Sequence, residues 1–137
     1  MAAAEAVAAS APADPSPSGG QIRRPDHGSN RRNGVDPTLA VYEERAADWA
    51  ADRTATGGDR AVALADRAGD GPIVDLGCGP GWHLPDLGPR AVALDGARAM
   101  LDLAAGRSSA PRVRGDLAAR PFRRGALGGA WASKSYV

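Results

Sequence analysis

The sequence predicts an α/β fold in which helices flank an open sheet of parallel strands. Three short segments, at residues 73–76, 91–94 and 112–114, have the length and the flanking glycine and proline residues of strands. Two segments predicted to be helices, 82–87 and 97–105, separate them. Strands and helices that alternate at this spacing are joined by right-handed crossovers. The predicted sheet is therefore Rossmann-like, with ligands expected at the carboxyl ends of its strands.

A first helix is predicted to begin at Asp36-Pro37, because an aspartate caps a helix and a proline suits its first position. It ends beyond Arg53, where Gly57 and Gly58 follow. Apolar residues recur in it every three or four positions and so share one face: Leu39, Tyr42, Ala46 and Trp49. We expect Tyr42 and Trp49 to anchor this helix in the core rather than to contact a ligand.

Two further elements complete the predicted domain. A second helix at residues 59–68 is expected to turn three side chains inward: Val62, Leu64 and Ala65. A fourth strand is predicted at residues 128–133, weakened by the glycines Gly128 and Gly129.

The chain divides into two regions of different composition. Residues 1–35 are rich in Ala, Pro, Ser, Gly and Arg, so we expect a disordered leader. Its start lacks the basic flank of a signal peptide. Residues 36–137 are expected to form one small domain with a thin core, because much of the 43% hydrophobic share is alanine.

Composition also limits the classes of partner. Seventeen basic and sixteen acidic residues leave a net charge of +1, so neither nucleic acid nor an anionic membrane is an expected partner. No run approaches the roughly 18 to 20 apolar residues of a membrane span. The single cysteine, Cys78, excludes an intramolecular disulfide and fits a reducing compartment, so we expect a cytoplasmic protein. No metal site is predicted.

A glycine loop follows the first predicted strand. Gly77, Gly79 and Gly81 let the backbone turn tightly and approach a small ligand closely. The spacing disagrees with a dinucleotide fingerprint, which needs a glycine where this chain has Trp82. A Walker loop is excluded as well, because no lysine occurs before Lys134.

Carboxylates surround this loop in the sequence. Asp75 immediately precedes it, and Asp95 ends the second strand, so a pyrophosphate would be repelled there and a cation attracted. S-adenosylmethionine carries a sulfonium and an ammonium that suit these acids. Its carboxylate would suit the N–H groups where the next helix starts.

The residues around the loop resemble class I S-adenosylmethionine-dependent methyltransferases. Residues 74–81 match their motif I, hydrophobic-Asp-x-Gly-x-Gly-x-Gly, and 92–95 resemble their second-strand motif. The helix segment 99–101 and residues 115–117, followed by 120–122, are similar to later family segments. The similarity is greatest to the small-molecule "type 11" branch. Upstream, residues 42–49 resemble the helix that closes over the cofactor.

This resemblance implies a seven-strand sheet in the order 3-2-1-4-5-7-6, of which the chain would hold the N-terminal, cofactor-binding half, truncated after strand four. The implied activity is methyl transfer from S-adenosylmethionine by in-line displacement. The acceptor is unidentified, with a small molecule favoured. The alternative is a non-catalytic cofactor-binding remnant or a partner-binding fragment. A departure from the family lies at residues 123–131, which lack the usual acidic residues and apolar strand.

The resemblance also implies the roles of individual residues. Asp95 would accept hydrogen bonds from the ribose hydroxyls, and Asp116 from the adenine amino group, with the Leu117 N–H meeting a ring nitrogen. Cys78 is expected to be a small structural residue rather than a nucleophile. No catalytic base can be named. The predicted cofactor-binding residues are Asp75, Gly77, Cys78, Gly79, Gly81, Asp95, Gly96, Asp116 and Leu117.

Overall fold

Helices and strands alternate along the part of the chain that the structure, a computed structural model, describes: residues 36–119 and 121–133. The predicted leader at residues 1–35 lies outside the described residues. The helices are α1 (Pro37–Ala51), α2 (Gly58–Arg67), α3 (Leu84–Leu87) and α4 (Arg98–Ala105). The strands are β1 (Ile73–Leu76), β2 (Ala91–Asp95), β3 (Arg112–Arg114) and β4 (Gly129–Trp131).

The four strands form one parallel sheet in the order β3-β2-β1-β4. This confirms the predicted α/β, Rossmann-like fold with an open sheet and flanking helices. It also matches the first four positions of the strand order that the family resemblance implies. Because all the strands are parallel, their carboxyl ends meet at one edge of the sheet, where Asp75 of β1 and Asp95 of β2 lie.

The core is built from both faces of the two central strands. On one face Ile73, Ala91 and Ala93 pack against side chains of the helices, including Leu84 and Leu101. The other face carries a second cluster that includes the following side chains: Val74, Leu76, Leu94, Leu117, Phe122 and Leu127. The small side chains of Ala91 and Ala93 on β2 let the helices approach the sheet closely. Each alanine buries little apolar area, so the core is thin.

Helix α1 begins as predicted, with Asp36 accepting a hydrogen bond from the Thr38 N–H at 2.9 Å. Helix α3 is shorter than the predicted 82–87, because turns occupy residues 79–83 and the helix starts only at Leu84. The prediction that Val62 faces inward is wrong. Its side chain is 43% exposed, because α2 turns Ala61 into the core instead.

Strand β4 is shorter than the predicted 128–133, and the glycine before it has a structural role. The Gly128 N–H donates to the Pro72 carbonyl at 2.8 Å, and the Gly128 carbonyl accepts from the Gly69 N–H at 3.0 Å. A Cβ on Gly128 would collide with the Gly69 carbonyl oxygen and lie 2.9 Å from that of Asp70. Gly128 therefore allows the chain entering β4 to cross the turn that enters β1.

None of the helices in the described residues is both long enough and apolar enough to cross a membrane.

Candidate functional site

A cleft of about 1190 Å³ opens at the carboxyl ends of the strands, with α1 on its opposite side. Eight of the nine predicted cofactor residues line it: Asp75, Gly77, Cys78, Gly79, Asp95, Gly96, Asp116 and Leu117. Gly81 does not line the cleft. The fold therefore brings together residues that are up to 42 positions apart, as expected for a site at the edge of a parallel sheet.

The backbone of the glycine loop is bonded to β2. The N–H groups of Gly77 and Cys78 both donate to the Leu94 carbonyl, at 2.8 and 3.0 Å, and the Gly79 N–H donates to Asp95 Oδ2 at 2.9 Å. The Gly81 N–H donates to the Cys78 carbonyl at 3.0 Å. These four donors are engaged within the protein, so they do not form the ring of free N–H groups that holds a phosphate.

This bonding changes one expectation from the sequence. The N–H groups where α3 starts were expected to suit a ligand carboxylate, but the Leu84 N–H donates to the Gly81 carbonyl at 3.3 Å. Helix α3 has only four residues and its N-cap, His83, provides no side-chain cap. The positive end of a helix dipole is therefore not the main electrostatic feature of this cleft.

The second and third glycines of the loop, Gly79 and Gly81, have different roles. Gly79 has a φ of +53°, and a Cβ there would lie 3.6 Å from the Trp49 ring, in ordinary contact. Gly81 has a φ of +82°, and its Cβ would come within 2.9 Å of both Ala104 Cβ and Leu84 Cδ1. Gly79 therefore faces the cleft, whereas Gly81 allows the loop to pack tightly against α4.

Asp95 connects the two loops that border the cleft. Its Oδ2 accepts from the Gly79 N–H, and its Oδ1 accepts from the Ala97 N–H at 2.9 Å. Burial raises the pKa of this carboxyl, although the hydrogen bonds from Ala97 and Gly79 oppose the shift. Each carboxylate oxygen has a second lone pair, so Asp95 retains the capacity to accept hydrogen bonds from a ligand.

Asp75 is the most deeply buried acid of the cleft. Its side chain is 2% exposed, and its Oδ2 has no hydrogen-bond partner. Burial, reinforced by the negative charge of Asp95, raises the pKa of Asp75 to about 7. An unpaired carboxyl in such a position is unfavourable for stability, and a cationic group placed beside it would relieve that cost.

Two more buried side-chain atoms among the described residues lack a hydrogen-bond partner. Trp131, the register partner of Asp75 on β4, has an unpartnered Nε1. The His83 ring contacts the Trp131 ring at a centroid distance of 5.1 Å, and His83 Nδ1 also lacks a hydrogen-bond partner. Asp86 Oδ2 lies 3.5 Å from this nitrogen, at ion-pair distance. Among the described residues, Asp75 Oδ2 and Trp131 Nε1 are therefore the buried side-chain atoms with neither a hydrogen-bond partner nor an ion-pair partner.

Cys78 occupies the loop as a small buried residue. Its Sγ donates to the Gly79 carbonyl at 3.4 Å. Burial, together with the nearby Asp95 and Asp75 carboxylates, raises the pKa of the thiol far above its usual value. The thiol is therefore protonated at neutral pH, which opposes a nucleophilic role.

Asp116 and Leu117 follow β3 at the third strand end. Asp116 Oδ1 accepts from the Ala118 N–H at 2.8 Å and so caps a short 3₁₀ turn, Leu117–Ala119. Both residues line the cleft, and the Asp116 side chain is exposed to it and to solvent. The three acids Asp75, Asp95 and Asp116 thus lie at or just beyond the ends of three adjacent strands.

An aromatic wall completes the cleft on the α1 side. Trp49 stacks on Trp82, with ring centroids 5.3 Å apart and planes at 20°, and Tyr42 meets Trp49 edge-on at 6.0 Å. The Arg53 guanidinium carbon lies 4.4 Å from the Trp49 ring centroid. The expectation that Tyr42 is a core anchor is wrong, since it is 37% exposed and lines the cleft. Trp49 both packs on the core and lines the cleft.

The charge of the lining residues favours a cation. Five aspartates line the cleft, against two arginines. One of those arginines, Arg114, is 3.4 Å from Glu43 and is partly neutralised by it. The field in the cleft is therefore negative, and the low-dielectric walls strengthen it.

Comparison with known proteins adds no family assignment. No family model matches the chain, and no curated protein matches it.

Proposed function

We propose that the cleft binds S-adenosylmethionine and that the chain acts as a methyltransferase on a small molecule. The observation that carries this proposal is Asp75, a buried carboxyl with an unpartnered oxygen, beside a glycine loop whose N–H donors at 77–79 and 81 are already bonded. A phosphate or a dinucleotide would meet negative charge there without free donors. A ligand with a sulfonium and an ammonium group would meet the charge it needs.

The order of the acids supports the orientation of the ligand. Asp75 and the glycine loop lie at the β1 end, Asp95 at the end of β2, and Asp116 beyond the end of β3. A methionine portion near Asp75, a ribose near Asp95 and an adenine near Asp116 would follow the sheet edge in one line. Asp95 would offer its remaining lone pairs to the ribose hydroxyls.

The bound cofactor would supply an activated methyl group to an attacking nucleophile. The chain's own contribution would be positioning and the exclusion of water, because α1 covers the loop with Trp49 and the Asp95–Ala97 turn with Leu39. The cleft volume of about 1190 Å³ exceeds the roughly 300–1,000 Å³ of a pocket for one small ligand. It has room for the cofactor together with a small acceptor.

Calorimetric titration of the whole chain tests this proposal. We expect S-adenosylmethionine and S-adenosylhomocysteine to bind and NAD⁺ not to bind. Asp95→Asn is expected to weaken S-adenosylhomocysteine about tenfold to a hundredfold, because it removes the charge from hydrogen bonds to the ribose. Asp102→Asn, on the exposed side of α4, is the matched control and should leave the affinity unchanged.

Two results would contradict the proposal. One is a folded chain that binds neither S-adenosylmethionine nor S-adenosylhomocysteine. The other is a rise in melting temperature with NAD⁺ but not with S-adenosylhomocysteine, which would indicate a nicotinamide site.

A further inference from the structure

Helix α4 is capped by a residue from another helix. Its own N-cap, Ala97, has no side chain that can accept a hydrogen bond. Instead, Glu43 of α1 accepts from the Arg98 N–H through Oε1 at 2.6 Å and from the Ala99 N–H through Oε2 at 2.9 Å. These two bonds, from Ala99 and Arg98, lower the pKa of Glu43, and the Arg114 charge adds to the effect.

Arg114 forms a second link to the same place. At the end of β3, its Nε donates to the Gly96 carbonyl at 3.1 Å, and its Nη2 lies 3.4 Å from Glu43 Oε1. Arg114 is also the register partner of Asp95. One carboxylate thus joins α1, the start of α4 and the end of β3, with bonds across 55 to 71 positions of sequence.

The turn held by these contacts carries Asp95. Asp95 Oδ1 accepts from the Ala97 N–H within the turn, and Gly96 lines the cleft. A Cβ on Gly96 would lie 3.0 Å from Leu39 Cδ1 of α1, so α1 packs closely against the turn. Helix α1 therefore contacts the same turn whose Ala97 N–H donates to Asp95.

We propose that Glu43 is a positioning residue of the cleft, fastening α1 to the start of α4 and thereby setting the orientation of Asp95 toward a bound ligand. Glu43 itself does not line the cleft. The part of the inference that concerns ligand affinity rests on the proposed function. The part that concerns the attachment of α1 does not.

Amide hydrogen exchange of the whole chain tests the attachment. In Glu43→Ala, the Arg98 and Ala99 amides lose their acceptors, and we expect their exchange to accelerate at least about tenfold relative to the wild type. Glu43→Gln keeps one acceptor oxygen and should give an intermediate rate. Glu44→Ala, at the adjacent exposed residue of α1, is the matched control and should leave both rates unchanged.

Titration with S-adenosylhomocysteine tests the effect on the site. We expect Glu43→Ala to weaken binding at least about fivefold, with Glu43→Gln between it and the wild type. Because the effect would pass through Asp95, the losses in Glu43→Ala and Asp95→Asn should be less than additive in the double variant. A merely structural role elsewhere would give additive losses.

The outcomes separate the two proposals. Unchanged exchange at Arg98 and Ala99 in Glu43→Ala would overturn the attachment, whatever the ligand result. Accelerated exchange with unchanged or additive affinity losses would overturn the positioning role. If the wild-type chain bound no adenosyl ligand, the proposed function would fail, and accelerated exchange would still support the attachment of α1 by Glu43.

Discussion

Asp75→Asn is expected to make the ligand-free protein more stable at pH 8, by about 2–4 kcal/mol in the free energy of unfolding. The pKa of Asp75 is raised from 3.8 to about 7, chiefly by burial and then by Asp95. Each unit of pKa difference between folded and unfolded states corresponds to about 1.4 kcal/mol. Asparagine carries no charge at any pH, so the variant avoids the cost of ionising a buried group.

The direction of the pH dependence follows from the raised pKa. Below about pH 4 the carboxyl is protonated in both states and costs nothing. Between about pH 4 and pH 7 the unfolded chain has released this proton and the folded chain still binds it, so stability falls as pH rises. Above pH 7 the penalty is complete. The advantage of Asp75→Asn should therefore be small at pH 4 and largest at pH 8.

Urea unfolding of the wild type and of Asp75→Asn at pH 4 and pH 8 measures this difference. Asp66→Asn, which changes an exposed aspartate of α2, is the control and should have little effect at either pH. An Asp75→Asn variant that is equally or less stable than the wild type at pH 8 would show that Asp75 is paired or hydrated in the folded protein.

Asp75→Asn should weaken ligand binding although it raises the free energy of unfolding. We expect the loss of affinity to be larger for S-adenosylmethionine than for S-adenosylhomocysteine, because only the former carries a sulfonium charge. Functional sites often hold a group that lowers the stability of the fold, as the buried Asp75 carboxyl does here. A variant with higher stability and unchanged affinity would separate Asp75 from the site.

Much of the fold was predictable because it depends on local pattern. The strand segments, the helix that starts at Asp36-Pro37 and the parallel direction of the strands follow from periodicity, capping and crossover rules. The order of the strands was implied only by the family resemblance. The convergence of Asp75 and Asp95 was predictable for the same reason, since ends of parallel strands meet at one edge. The predicted bounds of β4 were less accurate. Gly128 is not part of the strand, because it lies where the chain before β4 crosses the turn before β1.

What could not be predicted depends on contacts between distant segments. No local signal assigns Glu43 to the start of α4, because the two lie 55 positions apart and Glu43 resembles any charged residue on a helix. The exposure of Tyr42 depends on how α1 sits over the cleft. The bonding of the loop N–H groups to Leu94 and Asp95 also required the neighbouring strand to be in place. The sequence predicts a ligand carboxylate only at the N–H groups where the next helix starts, and it makes no prediction for these loop donors.

Gly81→Ala is expected to lower the free energy of unfolding by about 3 kcal/mol. This effect is comparable in size to that of Asp75→Asn and opposite in sign. The φ of Gly81 is +82°, which costs an L-residue about 1–2 kcal/mol. In addition the new methyl would lie 2.9 Å from Ala104 Cβ and 3.0 Å from Ala104 Cα, so α4 must move. Overpacking of this kind typically costs about 1–3 kcal/mol. Urea unfolding at a single pH measures the sum.

Two other glycines separate these contributions. Gly57 has a similar φ of +88° with nothing within 4 Å of a Cβ, so Gly57→Ala should show the backbone cost alone, about 1 kcal/mol. Gly79→Ala should be close to Gly57→Ala in stability, because its methyl meets only the Trp49 ring at 3.6 Å. That methyl enters the cleft, however, so Gly79→Ala should weaken S-adenosylhomocysteine more than Gly57→Ala does. Equal stability losses at Gly81 and Gly57 would contradict the packing role of Gly81, since the close contacts with Ala104 and Leu84 distinguish the two positions.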